Sequence, residues 1–600
     1  RSPTDEPTYI PTDEPTQTPT VGQTSEPTRS PTDEPTYIPT GEPTQTPIVG
    51  QTGEPTQSPT DKQTNEPTDL PTEEPTYIPT GEPTQTPTRS STDEPTDLPT
   101  EDPTSLPTNK PNATPSLSPT VTLSPTSCYS GTREDGITDT ISNALGDLEP
   151  FQDPNSGQAR SLNWLIYEDP AQLNACSPNL LQRWILALIY YDMGAIDWTT
   201  NDGWLVEKDE CVWQGCACVS NNAAKEVNEI FDRSLQGKEF TPIRGIDLTD
   251  NNVFGSIPSE MGLLADLETI SFYINSVTGS IPEDLYQLEK LREFDLDRNQ
   301  LTGTLSSNVA FWTDLTFLGL AKNQIEGYLP TEIGALTVLE KLWVQENNLT
   351  GSIPQEINAL QNLKTLFLNE NSLTGTIPSM DGITGLEVVN MRINQMSGTI
   401  PPSFYEATNM RVLYLSKNNF TGTVSSAIEN LTNLKDLWLD SNLFSGTIPQ
   451  EIGNDIELEI LYLQDNNFTG SIPATIGNLD ELYFIDISEN SITGSIPEAF
   501  WDISSLQIIY FNNNTLTGTL SPNFSNSQDI EDIWLYGNQL SGTIPAIESG
   551  DLGKLEEFLL NGNQFSGATP STICNLFSQN LDKLWVNCEV NCTCCTFCSS

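Results

Sequence analysis

From Ile243 almost to the C-terminus the apolar positions recur with a period of 24 residues, in the pattern LxxLxLxxNxLTGxIP. Clear copies are LEKLWVQENNLTGSIP (Leu339–Pro354), LKTLFLNENSLTGTIP (Leu363–Pro378) and LEILYLQDNNFTGSIP (Leu458–Pro473). The repeated asparagine runs from Asn251 to Asn563 through fourteen copies, with one interval of 23 and one of 25. A partial copy, Leu581–Val586, follows. Alternation in L-x-L predicts a short strand with leucines inward and the intervening residue outward. The asparagine can sit inside the following turn and satisfy backbone groups left there. Glycine before x-I-P permits a corner that a Cβ would crowd. No copy can bury its apolar edge alone, so stacking must build one continuous core. At ~4.8 Å per strand, fourteen copies give a parallel sheet on the order of 65 Å long.

The flanks follow other patterns. SPNLLQRWILALIYYD reads as a helix, with Ser177 as N-cap, Pro178 in the first helical position and Leu181, Trp184, Ile185 and Leu188 on one face. Residues 1–127 hold 27 of the 45 prolines and no Phe, Trp or Cys, in two nearly identical 28-residue units (Ser2–Arg29, Ser30–Gln57). Such a segment has nothing to bury and is expected to be a disordered, extended stalk. Threonine beside proline adds the composition of O-glycosylated stalks. A proline-motif ligand for a partner domain is the other use of such a segment. The organisation expected is a stalk (1–127), a helical, cysteine-containing N-terminal cap (128–242), fourteen repeats (243–570) and a partial repeat with a cysteine-rich C-terminal cap (571–600).

The L-T-G-x-I-P portion resembles the plant-type subclass of leucine-rich repeat proteins, as in receptor-like ectodomains and polygalacturonase-inhibiting proteins. Trp204-Leu205, Cys211, Trp213, Gly215 and Cys218 are similar to the N-terminal cap signature of that family. The wider layout is similar to leucine-rich repeat proteins of diatoms. It comprises the Pro-Thr stalk, DPNSGQARSLNWLIYEDP, QRWILALIYY and CTCCTFC. Two departures stand out: Asn221–Pro242 is a long link into the first strand, and no kinase segment follows the repeats. The resemblance implies an α/β solenoid, a superhelix with its parallel sheet on the concave face and disulfide-capped ends. It also implies a bridge between Cys211 and Cys218.

Of eleven cysteines, Cys128, Cys176, Cys211, Cys216 and Cys218 precede the repeats, and Cys574, Cys588, Cys592, Cys594, Cys595 and Cys598 follow Pro545. The last six can pair among themselves in connectivities the sequence leaves open. A metal-thiolate cluster at Cys588–Cys598 is the rival reading, and no metal or other cofactor is expected. The odd cysteine, with Cys128 as the candidate, could link two chains. Eight sequons, at Asn112, Asn348, Asn419, Asn430, Asn467, Asn513, Asn523 and Asn591, join the cysteines in pointing to a secreted or surface-displayed glycoprotein.

Ligand recognition in a solenoid falls to the outward strand positions. Between the second and third apolar anchors these read Asp247, Ser271, Asp295 and Gly319, then Trp343, Phe367, Asn390, Tyr414, Trp438, Tyr462, Asp486, Tyr510, Trp534 and Leu559, with Trp585 in the partial repeat. The seven rings Trp343, Phe367, Tyr414, Trp438, Tyr462, Tyr510 and Trp534 are the candidate binding residues. They can stack on sugars or anchor a protein, or merely pack on one another. Acidic residues interleave, among them Glu340, Glu346, Glu370, Asp436, Asp440, Asp465, Glu489, Glu531 and Asp532.

Charge and composition narrow the partner. The chain has 82 acidic against 25 basic residues and no histidine. That disfavours nucleic acid and polyanions and removes histidine-based triads and zinc sites. The ligand expected is a protein, a peptide or a neutral glycan, captured without catalysis by a receptor-like ectodomain or a hydrolase inhibitor. An open solenoid surface offers no closed cleft to perturb a carboxylate, so a glycosidase pair is not expected. No apolar run, the best being Trp184–Tyr191, approaches the ~20 residues of a membrane span. The chain starts at Arg1, which suggests a fragment or processed chain. Two alternatives remain: a structural or adhesive wall glycoprotein, and an ice-binding surface. The second rests on hydroxyl rows (Thr302/Thr304, Thr350/Ser352, Thr374/Thr376, Thr421/Thr423, Thr493/Ser495, Thr517/Thr519) that resemble those of ice-binding β-solenoids and are interrupted at Glu326 and Tyr328.

Overall fold

The computed structural model describes residues 131–146, 151–218, 241–548 and 550–599. The chain divides into two units, Arg1–Asn112 and Ala113–Ser600, and every described residue lies in the second. The stalk, Cys128, Asn112 and most of the link into the first strand fall outside the described residues.

Fifteen three- to five-residue strands, from Gly245–Asp247 to Lys583–Asn587, pair in parallel with their neighbours one repeat away. Their register is strict: Leu342 faces Leu318 on one side and Leu366 on the other. Cys216–Ala217 adds an antiparallel strand at the N-terminal edge and Phe597–Ser599 a parallel one at the other, giving seventeen strands among the described residues. Both edges are thereby covered by cap segments, which blunts an otherwise open template for pairing. This is the parallel-sheet solenoid of the plant-type repeat, with the sheet on its concave face.

The repeated asparagines do the work expected of them. Asn347 Nδ2 donates to the carbonyls of Leu320 (2.8 Å), Val344 (3.2 Å) and Gln345 (3.2 Å), and its Oδ1 accepts from Ile325 N (2.9 Å). The side chain thus ties its own turn to the preceding repeat, and Asn299, Asn323, Asn418 and Asn514 make the same set.

The residue just before this asparagine takes a left-handed conformation in nearly every repeat, as at Glu346 (φ 55°), Glu370 (φ 55°) and Lys417 (φ 54°). Two copies place glycine there, Gly537 and Gly562, which adopt it without cost. Ile393 (φ 54°) is β-branched and pays steric strain of about 1–2 kcal/mol. Ile393→Asn is therefore expected to raise the denaturation midpoint. An unchanged or lower midpoint would count against a strained turn at that position.

The L-T-G segment, read from sequence as a corner, is itself a strand. Copies from Glu326–Gly327 to Thr515–Leu516 form a second parallel sheet of nine strands, with smaller sheets of three and two strands before and after it. Thr350 Oγ1 donates to Gly327 O (2.9 Å) and Thr493 Oγ1 to Gly470 O (3.0 Å), so the hydroxyls before glycine are engaged by the neighbouring repeat. The residue after glycine packs into the next repeat: a Cβ at Gly422 (φ 84°) would lie 2.7 Å from Thr399 Cγ2. Conformation and space both demand glycine there. A turn of 3₁₀ helix then follows most I-P pairs, as in Gln355–Ala359, but not Ile377-Pro378 or Ile544-Pro545.

The N-terminal cap contains α1 (Arg133–Leu145), α2 (Gly157–Asn163) and α3 (Leu180–Asp192). Helix α3 begins after Asn179 rather than Ser177, whose hydroxyl accepts from Asn174 N instead (3.0 Å). The one-faced burial expected for it also gives way. Leu181 is half-buried, whereas Gln182 and Arg183 are buried along with the apolar residues through Ile189. Arg183 is enclosed completely, its guanidinium 2.9 Å from Asp169 Oδ1 and 2.7 Å from Glu210 Oε1. It also donates to the carbonyls of Lys208 (3.1 Å) and Glu207 (2.6 Å) and lies against the Trp164 and Trp213 rings. Gln182 Oε1 accepts from Ile243 N (2.8 Å), joining this polar knot to the first repeat.

Disulfides close both ends. Cys211 bonds Cys218, and Cys574–Cys594, Cys588–Cys598 and Cys592–Cys595 staple the C-terminal cap, leaving no thiolates there for a metal cluster. Cys176 is bridged as well, and the unbridged cysteine among the described residues is Cys216; the expectation for Cys128 lies outside them. Burial, and then the Glu210 carboxylate, push its thiol up, which makes it a poor partner for exchange.

Candidate ligand-binding face

The seven candidate rings all project from the outward positions of the long sheet, and each is half-buried. Parallel register stacks them one strand apart: Trp343 on Phe367 (5.5 Å between centroids), Tyr414 on Trp438 (4.2 Å) and Tyr510 on Trp534 (4.1 Å). Trp438 meets Tyr462 edge-on at 4.9 Å. Phe484, two residues before the ring position on its strand, bridges Tyr462 (4.4 Å) and Tyr510 (5.8 Å). Two groups result, Trp343–Phe367 and Tyr414–Trp534, separated at Asn390. In each stacked pair one face of each ring is covered by its partner.

The polar groups between the rings fall into two sets. Glu340, Glu346 and Glu370 pair with Lys364 (2.8 Å), Lys322 (2.9 Å) and Arg392 (3.0 Å). Asp436 instead accepts from Tyr414 Oη (3.2 Å), Asp532 from Tyr510 Oη (2.9 Å) and Asp440 from Ser416 Oγ. Burial, then these carboxylates, push the Tyr414 and Tyr510 phenols up and hold them neutral.

Several buried polar atoms of this face have no hydrogen-bond partner among the described residues: Gln345 Oε1, Trp438 Nε1, Gln464 Oε1, Asn512 Oδ1, Trp534 Nε1 and Asn561 Oδ1. The sequence reading named the two tryptophans but missed the amide column. Gln345, Gln464, Asn512 and Asn561 each lie two residues beyond the ring position of their strands, where other strands carry Ser416, Asp440 and Tyr536, and that outward position was available from the same alternation.

The expectation of unperturbed carboxylates does not hold. Burial on the sheet floor pushes Asp486 up to about 7 and Asp295 to about 6, and raises Asp297 and Glu293. Asp297 Oδ1 accepts from Ala321 N (2.5 Å) and Asp295 Oδ1 from Asp297 N (3.1 Å), so these two carboxylates serve the backbone of the early repeats.

The sequon asparagines among the described residues lie off this face. Asn348, Asn419 and Asn467 each open a strand of the second sheet and are exposed, as are Asn430, Asn513, Asn523 and Asn591.

The fold and this face are those of a leucine-rich repeat solenoid, similar to plant receptor ectodomains. Leucine-rich repeat family models match residues 456–516 and residues 362–380, 409–431, 433–454 and 554–576. Among solved structures, the chain is similar to the plant peptide hormone receptor RGFR1 in complex with RGF2. The two are 30% identical over 56% of this chain and 60% of that one, with a TM-score of 0.51. It is likewise similar to a TDR receptor, at 28% identity, 58% and 59% coverage and a TM-score of 0.54. The chain thus spans about 60% of the length of these two structures. No curated protein matches the sequence. Among the described residues, no helix is long and apolar enough to cross a membrane.

Proposed function

We propose that this is an extracellular, non-catalytic recognition protein that captures a peptide or protein segment along the concave sheet. The observation that carries this reading is the run from Tyr414 to Trp534. It combines five half-buried rings in register with buried indole N–H and amide oxygen atoms that no protein group satisfies. Backbone amides of an extended peptide supply the complementary donors and acceptors, and the rings supply apolar area. A sugar would need broad, free ring faces, and mutual stacking covers part of these, so a peptide fits better than a neutral glycan. The similar structure described as a peptide hormone receptor with a bound partner supports the same reading. Disulfides at both ends suit an oxidising compartment.

The test is capture by the full chain from a mixture of secreted proteins and peptides, alongside a neutral-glycan array. The variant Trp343→Ala/Trp438→Ala/Trp534→Ala is expected to lose the captured peptide. These rings are only half-buried and the variant keeps every inward leucine, so its fold should persist, as circular dichroism would check. Retention of the same ligand by the variant would sink the proposal.

A further inference from the structure

We infer that the ligand presents a basic side chain, best an arginine, to the gap over Asp486 between Tyr462 and Tyr510. This rests on the peptide-binding reading above and specifies the ligand's chemistry.

In the ring column, the run Tyr414, Trp438, Tyr462, Tyr510, Trp534 is interrupted once, at Asp486. Register places Asp486 directly between Tyr462 and Tyr510. The flanking backbones are two strands apart, roughly 9.6 Å. That spacing leaves room for one planar group over Asp486, beside the Phe484 ring that lies against both tyrosines. Phe484 closes the gap along the strand, in contact with both rings.

The gap has acceptors and lacks a cation. Asp486 is 7% exposed, and its Oδ1 accepts from Ser488 N (2.9 Å). Among the described residues no lysine or arginine forms an ion pair with it. In the neighbouring outward column, Gln464 and Asn512 lie one repeat to either side of Ser488. Gln464 Oε1 and Asn512 Oδ1 are buried without partners, and Asn512 is only 4% exposed. Asp440 adds a further carboxylate within electrostatic reach of Asp486. Buried acceptors without donors are costly, and a group carrying several N–H donors and a positive charge satisfies them together. Guanidinium supplies five donors in a plane and stacks on aromatic rings, which ammonium does less well.

The unpartnered donors complete the pattern. Trp438 Nε1 and Trp534 Nε1 lie two repeats to either side of Asp486, with the acceptors between them. A peptide offering carbonyls toward both ends and one cation in the middle is complementary to that order. Net charge agrees, because residues 128–600 carry 62 acidic against 20 basic residues.

The test is selection of a random-peptide phage library on the full chain and on its Asp486→Asn variant. Asn keeps the shape and removes only the charge, so the variant's thermal midpoint should match or exceed that of the parent. The expected result is an arginine or lysine fixed at one position among the selected peptides, with the selection disappearing on Asp486→Asn. Replacing that arginine by citrulline in a selected peptide should weaken binding by roughly tenfold or more. Peptides that lack a fixed basic position yet are lost on Trp438→Ala would overturn this inference and leave concave-face recognition standing. Retention of the basic peptides by Asp486→Asn would also overturn it. No enriched peptide at all would overturn both.

Discussion

Arg183→Ala is expected to destabilise the N-terminal cap by about 3–5 kcal/mol, the loss typical of removing one member of a buried ion pair. The reason is the company Arg183 keeps. Both Asp169 and the guanidinium side chain are wholly inaccessible, and Glu210 is nearly so. Removing the cation leaves two carboxylates buried side by side, with the Glu207 and Lys208 carbonyls also losing donors. It opens a hole between the Trp164 and Trp213 rings as well. Arg183→Met, which fills the volume, should be little better, because the carboxylates stay uncompensated. Replacing all three charged residues with apolar ones should recover much of the loss. Chemical denaturation followed by tryptophan fluorescence reads this directly, since Trp164, Trp184, Trp198, Trp204 and Trp213 all sit in or beside the cap core. A change below about 1 kcal/mol for Arg183→Ala would show that the cap does not depend on the knot.

Asp455→Leu is expected to do the opposite and stabilise the ninth repeat. Asp455 closes the 3₁₀ turn Gln450–Asn454, at the position held by Leu336, Leu360, Leu431 and Leu479 in other repeats. It is fully buried, and neither carboxylate oxygen has a partner. Burial, with a smaller contribution from Glu429, pushes it up to about 8. The folded protein therefore holds a proton that the unfolded chain releases near pH 4. Stability should fall as pH rises from about 4 to about 8 and then level off. By pH 7 the difference is on the order of 4 kcal/mol. Leucine removes both this slope and the unsatisfied carboxylate. Denaturation midpoints between pH 5 and pH 8 should fall with pH for the parent and lose that component in the variant. Parallel pH profiles for the two proteins would refute the assignment.

Both features could have been noticed in the sequence. Arg183 interrupts an otherwise apolar helix, and Asp455 occupies a leucine position within a regular repeat. A polar residue inside an apolar pattern marks either an exposed face or a satisfied buried group. Only the packing of Glu210 and Asp169 around α3 decides between these. The long sheet, its register and the role of Asn347 and its equivalents were readable because they follow from period and side-chain chemistry. The second sheet was not, since L-T-G-x offers a glycine and two small polar residues that locally favour a turn. Its hydrogen bonds exist only between stacked repeats.

The ring column was likewise legible residue by residue. What it does depended on contacts that alternation does not specify. Tyr414 stacks on Trp438 and Tyr510 on Trp534, whereas Asp486 stands between rings without an ion-pair partner. The amide column of Gln464 and Asn512 went unremarked because its importance is a matter of burial, which a period cannot supply.

The central claim is that ligand contact lies on the concave sheet between Tyr414 and Trp534. It is tested most directly by photo-cross-linking. A peptide selected on the full chain would carry a photoreactive group, and the cross-linked residues would be located by mass spectrometry. The account predicts adducts at outward positions of the strands from Val412–Tyr414 to Asp532–Trp534. Adducts concentrated on the second sheet or on the caps would contradict it.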